Sequence, residues 1–223
     1  MDKNFYFNKL YPLQDSFLSV IQKIDQKFYL TGGTVVSRVY LHHRFSDDLD
    51  FFVNDIPEFN LWVDRILNAV AKSKEWELDI SLREERFARC LIIDIDKEVE
   101  LKLEFINDVP SHIGLIRNHP ILGRIDSPEN ILANKVTAIV DRNEPKDIVD
   151  IWGFCTKMGL SLSEALKNAD SKAAGIFPLD VARILYFAER QNFSIIKWIE
   201  MPNFNTLIQD IKKIADKLIE INE

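Results

Sequence analysis

The spacing of apolar positions changes several times along the chain, and each change predicts an element. Over residues 13–26 apolar side chains recur at helical spacing (Phe17, Val20, Ile21, Ile24), which predicts an amphipathic helix. A short apolar run at 28–30 predicts a strand feeding into Gly32-Gly33, after which Thr34 is expected to cap a helix reaching about Leu41. Residues 49–53 predict a second strand and 57–74 a helix. Alternation then predicts strands over 77–82, 87–95 and 99–106, the last two joined by a hairpin turn at "DIDKE". Residues 108–126 read as a loop.

From 126 onward the period is helical almost to the end. Ser127 precedes Pro128 at the first helical position, a capping pattern, and Pro145, Pro178 and Pro202 mark helix starts or breaks. Strands and helices followed by helices alone predict an α+β architecture in two parts, an α/β core over 1–125 and a helical domain over 126–223.

Charge narrows the partners. The 223 residues carry a formal net charge of −7, which argues against indiscriminate binding to nucleic acid. A local basic groove is compatible with an acidic body, but it requires Arg83, Arg86, Arg89, Arg117 and Arg124 to share one side. There is no apolar run of membrane-spanning length and no signal-peptide core, so no membrane partner is expected. Cys90 and Cys155 sit in apolar surroundings and read as reduced core thiols, which points to a cytoplasmic protein. His42, His43, His112 and His119 show no ligand spacing and read as surface or cap residues.

Candidate chemistry centres on "TGGTVVSRVYLHHRFSDDLDFF". In a strand, Asp48 and Asp50 point one way with Phe52, while Leu49, Phe51 and Val53 point into the core; Asp47 turns away from the pair. Two carboxylates this close repel unless something neutralises them. As hard oxygen ligands on one strand they suit Mg²⁺. On spacing alone, a strand end with solvated or Arg-paired acids explains them equally well. Gly32-Gly33, between a strand and a helix, lets backbone N–H groups approach a phosphate; a plain tight turn is the alternative. A two-metal site needs a third carboxylate. The polar face of strand 99–106 carries Glu100, Lys102 and Glu104, and Glu104 is the favoured ligand with Glu100 behind it. Lys102 either reaches a phosphate or pairs with both acids.

A second polar cluster lies in the helical half. Lys135 and Arg142 are two turns apart on one helix face, and Lys146, Asp147 and Asp150 follow Pro145. Two readings are open: a salt-bridged helix surface, or a basic face over a triphosphate with Asp147 and Asp150 holding Lys135, Arg142 or Lys146 in place. Arg44, four residues before Asp48, either neutralises the acids, binds phosphate, or pairs with Asp47.

The stretch Gly32-Gly33-Thr34 … His43-Arg44-Phe45-Ser46-Asp47-Asp48-Leu49-Asp50-Phe51-Phe52 resembles the first motif of the nucleotidyltransferase-like AbiEii/AbiGii toxins. That motif is a glycine pair with Thr or Ser, ten or more residues, then Arg-x-Ser-x-Asp-x-Asp-Phe, far more specific than a bare DxD. Lys135-x-x-Ala138-x-x-x-Arg142-x-x-x-Lys146-Asp147-x-x-Asp150 resembles the family's C-terminal motif. Together the two cover residues 28–152. The distance from Gly33 to Asp48 slightly exceeds the shortest family pattern, which suggests an extra helical turn between them.

The resemblance implies a DNA polymerase β-type nucleotidyltransferase core, a mixed sheet flanked by helices, followed by a helical domain. It implies Asp48 and Asp50 as ligands of Mg²⁺ or Mn²⁺, with Gly32, Gly33 and Thr34, joined by Arg44 and Ser46, holding a nucleoside triphosphate. Lys135 and Asp147 or Asp150, with Arg142 and Lys146, would form the second half of the site. The family comprises toxins of toxin–antitoxin or phage-defence systems, some of which transfer nucleotides to tRNA ends. The implied partners are therefore an NTP, a tRNA acceptor and a cognate antitoxin. Two other readings remain: a small-molecule transferase of the aminoglycoside-modifying kind, which an acidic body suits, and a non-catalytic protein-binding module.

Overall fold

In the computed structural model, which describes residues 3–24 and 27–220, the chain opens in helix. Helix α1 (Lys3–Phe5), a π-helical turn (Tyr6–Leu10) and α2 (Tyr11–Ile24) follow one another directly. Helix α2 forms because Leu13, Phe17 and Ile21, four residues apart, make one buried stripe. Buried Tyr6 and Leu10 carry that stripe backward, so helix starts well before residue 13. The expected end at Gln26 lies outside the described residues.

Next come β1 (Tyr29–Thr31), α3 (Gly32–Val35), a second π-helical turn (Val36–Tyr40), β2 (Leu49–Asn54) and α4 (Phe59–Ser73). Strands β3 (Glu77–Arg83), β4 (Phe87–Asp94), β5 (Val99–Asp108), β6 (Arg117–His119) and β7 (Gly123–Ile125) complete a seven-stranded mixed sheet. Its order is β3-β4-β5-β2-β1-β7-β6, with β2–β5 and β1–β7 parallel and the other pairs antiparallel. Strands β6 and β7 fall where a loop was expected. At three residues each they are too short to show a period, and they close through Gly123 at φ +72°.

Strand β5 shows why the sheet holds. Val99, Leu101, Leu103 and Phe105 are all buried, while the residues between them stay at least partly exposed. Each buried side chain of this size contributes about 1.5–3 kcal/mol. Phe105 stacks on Phe51 of β2 at 5.3 Å between ring centroids and meets Phe28 edge-on at 5.4 Å. The apolar face of β2 is thereby locked inward, which leaves Asp50 on the other face.

The helical remainder consists of α5 (Pro128–Arg142), α6 (Pro145–Lys157), α7 (Leu162–Ala169), α8 (Pro178–Tyr186), a 3₁₀ turn (Arg190–Phe193) and α9 (Phe204–Glu220). Ser127 caps α5 as expected, its hydroxyl accepting from the Asn130 N–H at 3.1 Å. Prolines open α5, α6 and α8, where their missing N–H is no loss.

The chain divides into two compact units: Met1–Ser37 with Phe45–Asp126, and Arg38–Arg44 with Ser127–Glu223. The segment 38–44 thus joins the helical unit although it lies within the N-terminal half. It is built in by packing: a Cβ on Gly153 of α6 would collide with Leu41. The Ile199 N–H donates to the His43 carbonyl at 3.0 Å, and Arg44 forms a β-bridge with Trp198.

Candidate functional site

In the sheet-bearing unit, β1 delivers the chain into Gly32 at φ +66°, a left-handed conformation that favours glycine. A Cβ there would also collide with the carboxylate of Asp50. The glycine pair and the second aspartate therefore touch. Register explains the meeting: Thr31 pairs with Asp50 across β1–β2, and Asp50 with Glu104 across β2–β5. The sheet thus places Asp50 and Glu104 side by side, and Asp48 reaches the same cluster through Lys102.

Thr34 acts differently from the expectation. Helix α3 begins at Gly32, so Thr34 lies inside it, and its hydroxyl donates to the Asp48 carbonyl. That bond ties the helix to the approach of the acidic strand. Thr31 occupies the cap position without a side-chain capping bond; its hydroxyl donates to Asp126 Oδ2 at 2.6 Å. Asp126 is fully buried, and its other oxygen lies 3.0 Å from His112 Nε2. Ninety-five residues separate Thr31 from Asp126, and no local pattern could have joined them. The loop before Asp48 is pinned to the first helices. Gln14 donates to the Asp47 carbonyl at 2.9 Å and Tyr6 to its carboxylate at 2.7 Å. Ser46, half-buried, lies in that pinned loop.

The acids are not left bare. Lys102 Nζ lies 2.8 Å from Asp48 Oδ2 and 3.3 Å from Glu104 Oε1. Burial opposes the charge on Lys102, but Asp48 and Glu104 outweigh it and raise its pKa. Arg89, opposite Glu104 in register on β4, donates to the same Oε1 at 2.8 Å. The donor set suits a hard divalent ion: carboxylate oxygens gathered at one half-exposed face and already sharing a cation. Among the described residues, however, no three Asp, Glu, His or Cys side chains yet converge as a metal site. Arg83 and Arg86 pair with Asp64 and Asp55 at 2.7 and 2.8 Å. With Arg89 they are three of the five arginines expected to form a basic groove, and each is already neutralised.

In the helical unit, the second motif is an ion network. Lys135 Nζ sits 2.7 Å from Asp147 and 2.8 Å from Asp150. Arg44 binds Asp150 with two parallel bonds of 2.7 Å. Arg142 binds Asp147 at 2.8 and 3.0 Å, while Lys146 pairs with Glu144 at 2.7 Å. Asp147 and Asp150 are fully buried and Lys135 is only 7% exposed, so this is an interior network and not a helix surface. Burial penalises the charge on Asp150, yet Arg44 and Lys135 hold its carboxyl well below the ordinary range. Burial likewise opposes Lys135, and Asp150 and Asp147 raise its pKa.

His43, expected as a surface or cap residue, is buried, 3.0 Å from Asp150 Oδ1 but without the alignment of a hydrogen bond. Burial lowers its pKa, so the ring is neutral near pH 7. Spacing alone gave His43 a surface or cap role, gave Asp126 no role in the site, and offered Lys102 only as an alternative. The one signal for Lys102 was its place between two acids on one strand face.

A mixed sheet whose central strand carries Asp50 against a glycine-opened helix, with Asp48 just before that strand, is a nucleotidyltransferase-type fold. The chain belongs to the nucleotidyl transferase AbiEii toxin family of type IV toxin–antitoxin systems, whose family model matches residues 17–217. An uncharacterised protein of Aquifex aeolicus is 28% identical over 188 residues, spanning 81% of this chain and 85% of that one. MenT4, a nucleotidyltransferase toxin from Mycobacterium tuberculosis H37Rv, superposes with a TM-score of 0.63 at 15% identity, over 94% of this chain and 82% of its own. JHP933 from Helicobacter pylori gives 0.59 at 18%, over 99% and 93%. At such identities the structural likeness carries the fold alone. Among the described residues no helix is long and apolar enough to cross a membrane.

Proposed function

We propose that the protein is a metal-dependent nucleotidyltransferase that moves a nucleoside monophosphate from an NTP to a hydroxyl of RNA, with tRNA the favoured acceptor. The observation that carries the reading is the abutment of Gly32 and the Asp50 carboxylate, two residues along the chain from Asp48. A glycine-opened helix start and two acids at one point bring a phosphate cradle and hard metal ligands together.

In this reading Asp48, Asp50 and Glu104 hold Mg²⁺ or Mn²⁺. Bound there, the ion would lower the pKa of the acceptor hydroxyl and neutralise the departing pyrophosphate. Backbone N–H groups at Gly33 and Thr34 orient the triphosphate, and the bond from Thr34 to the Asp48 carbonyl fixes the distance between cradle and acids. Ser46 lies in the loop pinned by Gln14 and Tyr6, which limits how far Asp48 can drift. Lys135, Asp147 and Asp150 are positioning residues that hold Arg44 and Arg142, because the Lys135 ammonium is already shared by two carboxylates. Arg142 and Lys146, both with side chains more than two-fifths exposed, offer charge to phosphates. Membership of a type IV toxin–antitoxin family supports a toxic activity held in check by a cognate antitoxin, and the reading places both in the cytoplasm.

The neutralised arginines and the charge of −7 favour one second reading, a small cationic acceptor of the aminoglycoside kind. One assay separates the two. Each α-labelled NTP is incubated with the protein, Mg²⁺ and either total tRNA or an aminoglycoside, with Asp48→Ala as control. Label on tRNA that Asp48→Ala abolishes supports the proposal, and label on the aminoglycoside supports the second reading. No nucleotide binding at millimolar Mg²⁺ rejects both.

A further inference from the structure

We infer that Lys102 is a built-in counter-cation: its ammonium holds the divalent ion's place among the acids and must withdraw from Asp48 and Glu104 before metal binds. The affinity for metal is then set by this lysine as well as by the ligands. The inference rests on the metal-ligand reading of Asp48, Asp50 and Glu104.

Lys102 and Glu104 are two residues apart on β5 and share a face, and Glu104 is in register with Asp50. Carboxylates gathered this way need a counter-charge. Lys102 Nζ supplies one, bridging Asp48 Oδ2 and Glu104 Oε1 at 2.8 and 3.3 Å. The acids are thereby arranged around an ammonium. In keeping with that, no three Asp, Glu, His or Cys side chains among the described residues stand ready to hold a metal.

Lysine suits this role because it is a compact charge on a flexible four-carbon stem, able to swing aside without unfolding anything. The side chains of Lys102 and Asp48 are each 35% exposed, so the released ammonium passes directly to water. Arg89 stays on Glu104 from β4 and keeps that carboxylate aimed while Lys102 moves. An ion pair this exposed shifts a competing equilibrium by up to about five-fold.

The test is a Mn²⁺ titration of the full chain, with free Mn²⁺ read by electron paramagnetic resonance and folding checked by thermal unfolding. Wild type, Lys102→Met, Lys102→Gln, Lys102→Arg and Asp48→Asn are compared. Lys102→Met and Lys102→Gln should bind Mn²⁺ about five-fold more tightly than wild type. Lys102→Arg should stay within about two-fold of wild type, and Asp48→Asn should bind at least about ten-fold more weakly. Should the neutral Lys102 variants bind no more tightly than wild type while Asp48→Asn still loses affinity, the counter-cation role is rejected and the metal site stands. Equal gains for Lys102→Arg and Lys102→Met would also reject it. Should wild type take up no Mn²⁺, or Asp48→Asn bind as wild type does, the metal reading falls and the counter-cation role with it.

Discussion

The carboxylate of Asp50 fills the space that a Cβ on Gly32 would need. Eighteen positions apart in sequence, the two are brought together by the β1–β2 register. Gly32→Ala meets two penalties at once: a left-handed φ of +66° and displacement of Asp50. Gly159, at φ +69° with nothing within 4 Å of its would-be Cβ, meets only the first. Gly159→Ala should cost about 1 kcal/mol and leave transfer intact. Gly32→Ala should cost more, about 1–3 kcal/mol or above, and cut transfer sharply. Chemical denaturation and the labelled-NTP assay check both.

Glu104 and Glu100 were both possible third ligands. Only Glu104 is in register with Asp50 and joined to Asp48 through Lys102. Glu104→Gln should lower transfer about 10²-fold, the scale of losing one electrostatic stabiliser. Glu100→Gln should leave it within about two-fold. Equal losses in steady-state rates would remove the distinction.

Asp150 makes stability pH-dependent. Its folded pKa lies well below the unfolded value of about 3.9. The unfolded chain therefore takes up the proton first, so stability is full above about pH 4–5 and is lost as pH falls through the folded value. Lys135 has the opposite sign, its raised pKa keeping its contribution full below about pH 10 and losing it as pH rises through the folded value. At pH 7, Asp150→Asn should cost about 3–5 kcal/mol by removing the buried carboxylate that Arg44 and Lys135 share. The gap to wild type should narrow at pH 3. Urea titrations at the two pH values measure it; a gap unchanged with pH would contradict the depressed pKa.

Thr31→Val keeps the side-chain shape but removes the hydroxyl that donates to buried Asp126. It should cost about 1–3 kcal/mol, a drop of several degrees in Tm for a chain of this size. Calorimetry reads it directly, and a Tm equal to wild type would mean that another donor takes over.

What the sequence by itself determined is what depends on neighbours along the chain. Strand alternation, helix period and proline placement located β2 to β5 and the helices of the second half, because burial of one face leaves a local trace. The motif around Asp48 and Asp50 pointed to the family for the same reason: its residues are close in sequence. Only the tertiary structure decided which distant charges meet. It put Arg44 on Asp150 and turned the second motif into a buried network, where charges must be paired or be expelled. It assigned residues 38–44 to the helical unit, and it set Lys102 between Asp48 and Glu104. Register and packing fix such meetings, and neither leaves a mark on the spacing of any one segment.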